Sequence, residues 1–512
     1  MHRHLFLAVC LALGGGAVGC EDDEPAEGGE EEAGTSGSAG SSSAGRAAGG
    51  SGGRAAAGSA AAGTGGRAPA GGAGGAGGRA PAGGAGGTGG RAPAGGAGGA
   101  VAGGAGGAVA GGAGGAGGAA SSEQDIVEVA TAAGTFTQLT AALEKAGLVE
   151  ALQGEGPFTV FAPSDAAFEA LETAMPGVLD ALTVEQLASI LKYHVVSGAA
   201  VEAADLKNGQ LVETLEGPSL AVDLSGDKPR INAGATVTTA DIAASNGVIH
   251  VIDKVILPPG DIIEVATGAG TFTKLAEALT SADLVDALKG EGPFTVFAPT
   301  DAAFEALGTA PTGDALKNVL QYHVIEGTLG ALDLKEGGAA VTLAGSPVLF
   351  SLEGGAQIND AKITITNLVA KNGVIHVIDA VIVPSEDDIV ATAVAAGTFT
   401  QLANALTSAD LVDELQAPGP FTVFAPTDAA FEALGTAPTG DALKNVLLYH
   451  VVNGAVGSGD LKAGSTATLL SGENVTIDLA SGVKVNDATV TTANILTKNG
   501  IIHVIDKVLV PN

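Results

Sequence analysis

The chain has 512 residues, 81 of them Gly, with no Trp, three Tyr, and 23 Lys and Arg against 56 Asp and Glu for a net charge of −33. From Ser121 onward 48 residues are acidic and 17 basic, a surface that repels phosphate backbones and is unsuited to nucleic acid. It suits a soluble, self-repelling exterior, with cations or cationic partners as the remaining electrostatic options.

Met1 to Arg3 give a short positive end, and Leu5 to Leu13 form an apolar run of nine, too short for a permanent membrane helix. That pattern is a secretory signal over residues 1–19. It ends in Gly14-Gly-Gly-Ala-Val-Gly-Cys20, which resembles the lipobox of bacterial lipoproteins, with Ala17 standing where Leu is usual. The resemblance makes Cys20 the lipid-attachment residue and places the chain at the bacterial envelope, on the outer membrane or cell surface. Simple cleavage and full secretion is the alternative. Cys10 is the only other cysteine and leaves with the signal, so lipidation accounts for an otherwise odd thiol. A lipid would then be the membrane contact, since no other apolar run approaches 18 residues.

Eight acidic residues lie between Glu21 and Glu32, after which Ser, Gly and Ala dominate to about Ser122. Gly-Gly-Arg-Ala-Pro-Ala-Gly-Gly recurs there, with Arg67, Arg79 and Arg91 spaced by twelve. Without aromatics or enough apolar side chains to offset ordering entropy, residues 20–122 read as a disordered tether. Its root-mean-square span would be roughly 50–60 Å.

The remainder is one unit written three times. Gly134-Thr-Phe-Thr137 returns at Gly270 and Gly397. Pro157-Phe-Thr-Val-Phe-Ala-Pro-Ser-Asp-Ala-Ala-Phe168 returns at Pro293 and Pro420, Tyr193-His194 at Tyr322 and Tyr449, and Asn246-Gly-Val-Ile-His-Val-Ile-Asp253 at Asn372 and Asn499. The first Gly lies 31 residues before the Asp of the second box in every copy. The second and third copies are identical over Gly292–Leu320 and Gly419–Leu447, and the first carries seven extra residues before its Tyr-His. A repeat of 127 residues is a whole domain, giving domains at 123–258, 261–384 and 387–511. The linkers Pro258-Pro259-Gly260 and Pro384-Ser385-Glu386 are short and favour a semi-rigid row.

Within the first copy, apolar spacing predicts helices over Asp125–Ala130 and Phe136–Ala146, then a short strand Phe158–Phe161. Ser164 is the cap of a helix that turns Phe168 and Leu171 inward, with Asp165 well placed in its first turn. A helix Val184–Tyr193 leads into a strand from His194. Strands Leu211–Thr214, Leu220–Asp223 and Thr236–Thr239 follow, and Asn246-Gly247 signals a type I′ hairpin before a strand Val248–Val255. Helices first and strands later make the class α+β.

Thr-Val-Phe-Ala-Pro-Ser/Thr-Asp-Ala-Ala-Phe, then Tyr-His, then Asn-Gly-Val-Ile-His-Val-Ile-Asp resembles the fasciclin domain, in all three copies. The resemblance implies tandem domains, each a β-sandwich-like wedge flanked by helices, in an exported protein that binds surface proteins or matrix. Integrin-binding members use an Asp-Ile pair shortly before the Asn-Gly turn, together with the Tyr-His region. That carries over to Asp241-Ile242 and Tyr193-His194 as candidate partner-binding residues. The second copy has Asn367-Leu368 and the third Asn494-Ile495, so the carboxylate is confined to the first.

Catalytic readings are poor. His194 or His250 with Asp253 and Ser164 can be imagined as a triad, yet no Gly-x-Ser-x-Gly elbow occurs and two copies have Thr at the Ser164 position. Two His per copy without Cys make a poor zinc site, and the Gly-rich runs lack a phosphate loop's Lys-Ser/Thr. No cofactor is expected. The sequence therefore reads as a surface protein for multivalent adhesion, with a ligand- or polysaccharide-binding envelope protein, and then an envelope hydrolase, as alternatives.

Overall fold

The structure is a computed structural model that describes residues 123–511 apart from 437, 465 and 469. The expected signal, Cys20 and the tether lie outside the described residues. Among the described residues no helix is long and apolar enough to cross a membrane.

Each copy is α+β. In the first, α1 (Ile126–Ala133), α2 (Thr137–Ala146) and α3 (Val149–Leu152) precede β1 (Phe158–Pro163). Then come α4 (Asp165–Ala174), α5 (Val178–Ala181) and α6 (Val184–Tyr193). The strands β2 (Val195–Ser197), β3 (Leu211–Glu213), β4 (Ser219–Asp223), β5 (Arg230–Ile231), β6 (Ala235–Ala244) and β7 (Gly247–Ile252) complete the unit. The first copy's extra length holds α5, which has no counterpart among the described helices of the other two.

Local chemistry sets the helix starts. Asp125 accepts from the Glu128 N–H while the Glu128 carboxylate accepts from the Asp125 N–H, a capping box. Ser164 and its counterparts Thr300 and Thr427 cap as expected, each accepting from the amide three residues on. The constant spacing of 31 has its reason in α2. That helix begins at Phe136 without a cap of its own, and Asp165 supplies one from across the chain, accepting from the Gln138 N–H at 2.8 Å and the Thr137 hydroxyl at 2.9 Å. Asp301 and Asp428 do the same for Lys274 and Gln401.

The strands form one seven-stranded sheet per copy, in the order β2-β1-β7-β6-β5-β4-β3 in the first. The central pair β1 and β7 is parallel, with Phe158 opposite Gly247 and Phe161 opposite His250. The long strand β6 shifts register twice against β7, between Val237 and Thr239 and again between Thr239 and Ile242. Bulges bend a strand and re-aim its side chains. Here they fold the sheet over itself, so that Phe161 and Ile252 from the middle pack with Leu220, Val222 and Ile231 from the far end. The Leu215 N–H also reaches the Val195 carbonyl on the first edge, at 2.7 Å. This is the wedge that the resemblance implies. A second core lies between the other face and α1, α2, α4 and α6, around Phe136, Leu139, Phe168 and Ile249.

The hairpin into β7 differs from expectation. Ala244 pairs with Gly247, so the two turn residues are Ser245 and Asn246, one place earlier than predicted. Neither has positive φ, so the turn is not type I′. Gly247 is required for another reason: a Cβ there would strike the Phe158 carbonyl and come within 2.9 Å of Ile126 Cδ1.

The three copies also touch one another. The Asn367 amide of the second copy donates to the Gly209 carbonyl of the first at 2.7 Å. The Asp460 carboxylate of the third accepts from the Ala339 N–H of the second at 2.8 Å, and Ser346 donates to the Lys498 carbonyl at 2.6 Å.

Candidate functional site

Tyr193 and His194 close α6, and both are enclosed. The Tyr193 hydroxyl donates to the Ser219 carbonyl at 3.0 Å and accepts from the Asn232 amide at 2.9 Å, tying α6 to the distal strands. Burial pushes its phenol well above the usual range. His194 is fully used too. Its Nδ1–H donates to the Ile190 carbonyl at 2.8 Å, and Nε2 accepts from the Ile256 N–H at 2.9 Å. Burial lowers it to about 4, so the ring is neutral in the folded chain. His323 and His450 repeat both bonds and the same depression to about 4.

His250 takes the opposite tautomer. Nε2–H donates to the Val201 carbonyl at 2.8 Å, Nδ1 faces the Asp241 N–H at 3.4 Å, and the ring stacks on Phe161 with centroids 5.4 Å apart. With both nitrogens of each ring engaged and Ser164 committed to its cap, the residues imagined as a triad are occupied structurally. Among the described residues no cluster of His, Cys, Asp and Glu is placed to hold a metal ion. Two apolar cavities behind α1 and its third-copy counterpart, lined by Ile126 and Leu139 or by Ile389 and Leu402, hold only about 20 Å³ each. That is about one water.

Asn246 is the residue whose role the sequence hid. Its Oδ1 accepts from the Ile126 N–H at 3.0 Å, while Nδ2 donates to the Leu152 carbonyl at 2.8 Å and the Gly154 carbonyl at 3.0 Å. One side chain thus ties the turn before β7 to the start of α1 and the end of α3. Asn372 and Asn499 make the same three bonds and are buried. The recurrence of Asn at a fixed place was visible; its partners, some 90 to 120 residues distant, were not.

Of the four candidate partner-binding residues, Asp241 alone presents a large surface, its side chain 44 % exposed. Ile242 is half-buried against the helical core, and Tyr193 and His194 lie inside. Asp241 occupies the second bulge of β6 at φ 60, a conformation that Asp and Asn tolerate better than most residues. Its Oδ1 accepts from the Ala203 N–H at 2.8 Å. Asn367 and Asn494 sit in the same bulge with the same backbone, and accept from the Ala331 and Ser458 N–H groups at 3.0 and 2.8 Å.

The fasciclin-domain family model matches residues 134–258, 270–384 and 397–511. The chain is 30% identical to human periostin over 406 residues, covering 76% of this chain and 47% of periostin. It is 31% identical to the pig transforming growth factor-beta-induced protein ig-h3 over 403 residues, covering 76% of this chain and 57% of that protein. It is 48% identical to protein sll1483 of Synechocystis sp. over 145 residues, covering 28% of this chain and 77% of that protein. The chain spans about half the length of the periostin and ig-h3 relatives it matches.

Proposed function

The chain belongs to the fasciclin-domain family, and on that premise we propose that it is an exported adhesion protein presenting a short row of three modules to a surface protein, matrix or polysaccharide. Fasciclin domains are found in cell-adhesion proteins, which supports adhesion as the general role. The observation that carries the reading here is triplication. One module recurs three times, its histidines and tyrosine turned inward, with successive modules in direct contact. Three weak contacts on one chain gain residence time without any new chemistry.

In this reading the signal exports the chain, Cys20 carries the lipid, and the Gly/Ala-rich segment holds the row away from the membrane. Asp241 and the neighbouring Ile242 are the first place to look for a specialised contact. Changing Cys20 to Ser releases the protein into the medium; a variant that stays with the membrane fraction removes the lipid-anchor element.

The test of adhesion is retention of envelope or matrix material by the immobilised full chain. Protease treatment of that material abolishes retention if the partner is a protein, and periodate abolishes it if the partner is a glycan. Retention no greater than on an immobilised protein of similar negative charge rejects the proposal.

A further inference from the structure

The two contacts between modules bring together the same two surfaces, though with different hydrogen bonds, and the first module carries one of those surfaces in an altered form. The correspondence is fixed by shared hydrogen bonds. Thr159, Thr295 and Thr422 each accept from the N–H of Val201, Leu329 and Val456 respectively. Glu202 therefore corresponds to Gly330 and Gly457, and Ala203 to Ala331 and Ser458. Further along the same loop, the N–H groups of Gly209, Gly337 and Gly464 each donate to a later strand, to Val222, Phe350 and Ile477. Call the first surface the socket and the second the turn. The turn of one module docks in the socket of the next.

Two features of the sockets permit this. The first is an amide at the β6 bulge. Asn367 uses Oδ1 within its own module and spends Nδ2 on the Gly209 carbonyl at 2.7 Å. Asn494 spends Nδ2 on Ser458 Oγ at 2.8 Å, beside Gly337, whose carbonyl accepts from the Gly459 N–H at 2.9 Å. The second feature is glycine where the preceding module comes close. A Cβ on Gly330 would meet Leu211 Cδ1 at 3.0 Å, and one on Gly457 would strike the Gly337 carbonyl and approach the Ala339 N at 2.9 Å. The turn needs glycine as well: a Cβ on Gly337 would lie 2.5 Å from Ser458 Oγ.

The first module breaks both conditions at once. It has Glu202 in place of the glycine and Asp241 in place of the asparagine. Asp241 keeps the bond to Ala203 N–H that Asn367 makes to Ala331, so the bulge is unchanged. What is lost is the donor. A carboxylate oxygen would face the incoming glycine carbonyl, two acceptors with no proton between them, and the Glu202 side chain would occupy the space the docked turn needs. In the third module, among the described residues, nothing lies within 4 Å of where a Cβ on Gly464 would be.

A turn at one end and a socket at the other make a heterologous pair, which propagates without closing unless one partner is disabled. We propose that Glu202 and Asp241 are a built-in stop: they close the first module's socket to the Gly464 turn of a second copy, so that the row of one chain does not run on into another.

The test restores the socket. Sedimentation velocity on the full chain, over the micromolar to millimolar range, compares wild type with E202G/D241N. The expected result is a sedimentation coefficient that climbs with concentration for the double variant and stays constant for wild type. Adding G464N, a residue that tolerates positive φ, returns the double variant to wild-type behaviour. If E202G/D241N sediments like wild type throughout, or if wild type itself associates and G464N abolishes that, the stop is refuted. The converse change guards against a misfolded variant. G457E/N494D introduces into the third module the pair that the first already folds with. It should speed hydrogen exchange at the joint amides Ala339 and Gly459 by at least about tenfold, the loss of roughly one hydrogen bond, with exchange in Phe421–Pro426 unchanged. Unaltered exchange at both joint amides also refutes the proposal.

Discussion

Replacing Asn372 by Ala removes three hydrogen bonds at once and leaves their partners without replacements. The side chain accepts from the Ile262 N–H at 3.0 Å and donates to the Leu288 and Gly290 carbonyls at 2.8 Å each. At about 1 kcal/mol per bond the loss is about 3 kcal/mol, and the stranded backbone groups push it upward. That is a large part of a domain's usual margin of about 5–15 kcal/mol, so the module folds but opens roughly 150-fold more often. Asn372→Asp should not rescue it. The carboxylate can still accept from Ile262, but it sets an oxygen against two carbonyls. Hydrogen exchange read on peptides from residues 361–378 isolates this module, because its β6 counterpart Ala361–Ala370 differs in sequence from those of the other two. A loss below about 1 kcal/mol for Ala, or wild-type protection in the Asp variant, refutes the view that this side chain ties the turn to the helices.

The remaining predictions concern pH, close approach and capping. His194, His323 and His450 are lowered by burial to about 4, against about 6.5 unfolded. The unfolded chain therefore binds the extra proton between those values, and this stability is complete above about pH 6.5 and drains as the pH falls toward 4. About 2 kcal/mol per module is lost by pH 5. His323→Gln should flatten that slope for the second module in urea titrations, and an unchanged slope counts against the burial argument. Gly500→Ala sets a Cβ against the Phe421 carbonyl and Ile389 Cδ1, and should cost the third module about 3 kcal/mol or more through overpacking; a calorimetric scan unchanged from wild type contradicts it. Asp165→Ala strips α2 of its distant cap, with an expected loss of about 1–2 kcal/mol in the first module alone. Destabilisation elsewhere, or none, would mean the cap is incidental.

Much of the architecture was legible because repetition marks what is structural. The helix Val184–Tyr193 runs as the apolar spacing predicts, and the Ser164 cap follows from residue type and position. Sequence reasoning failed where a residue's partner lies far along the chain. Asn246-Gly247 matched a local turn rule, yet the asparagine serves α1 and α3 while the glycine admits the parallel strand β1. Tyr193-His194 is a partner-binding candidate only through the family resemblance, because the two letters do not say which way their polar atoms face. The structure consumes every one of those atoms on backbone and Asn232. The Asp241 difference was visible as a letter change. Its context, an asparagine spending its amide on a neighbouring module, needed three dimensions.

The most direct measurement of the central claim is bead retention. Beads coated with the full chain at increasing surface density are passed over native envelope or matrix material under flow. Multivalent adhesion predicts retention that rises more steeply than density and falls when free full chain is added as competitor. Retention equal to that of beads carrying an unrelated acidic protein, at every density, would contradict it.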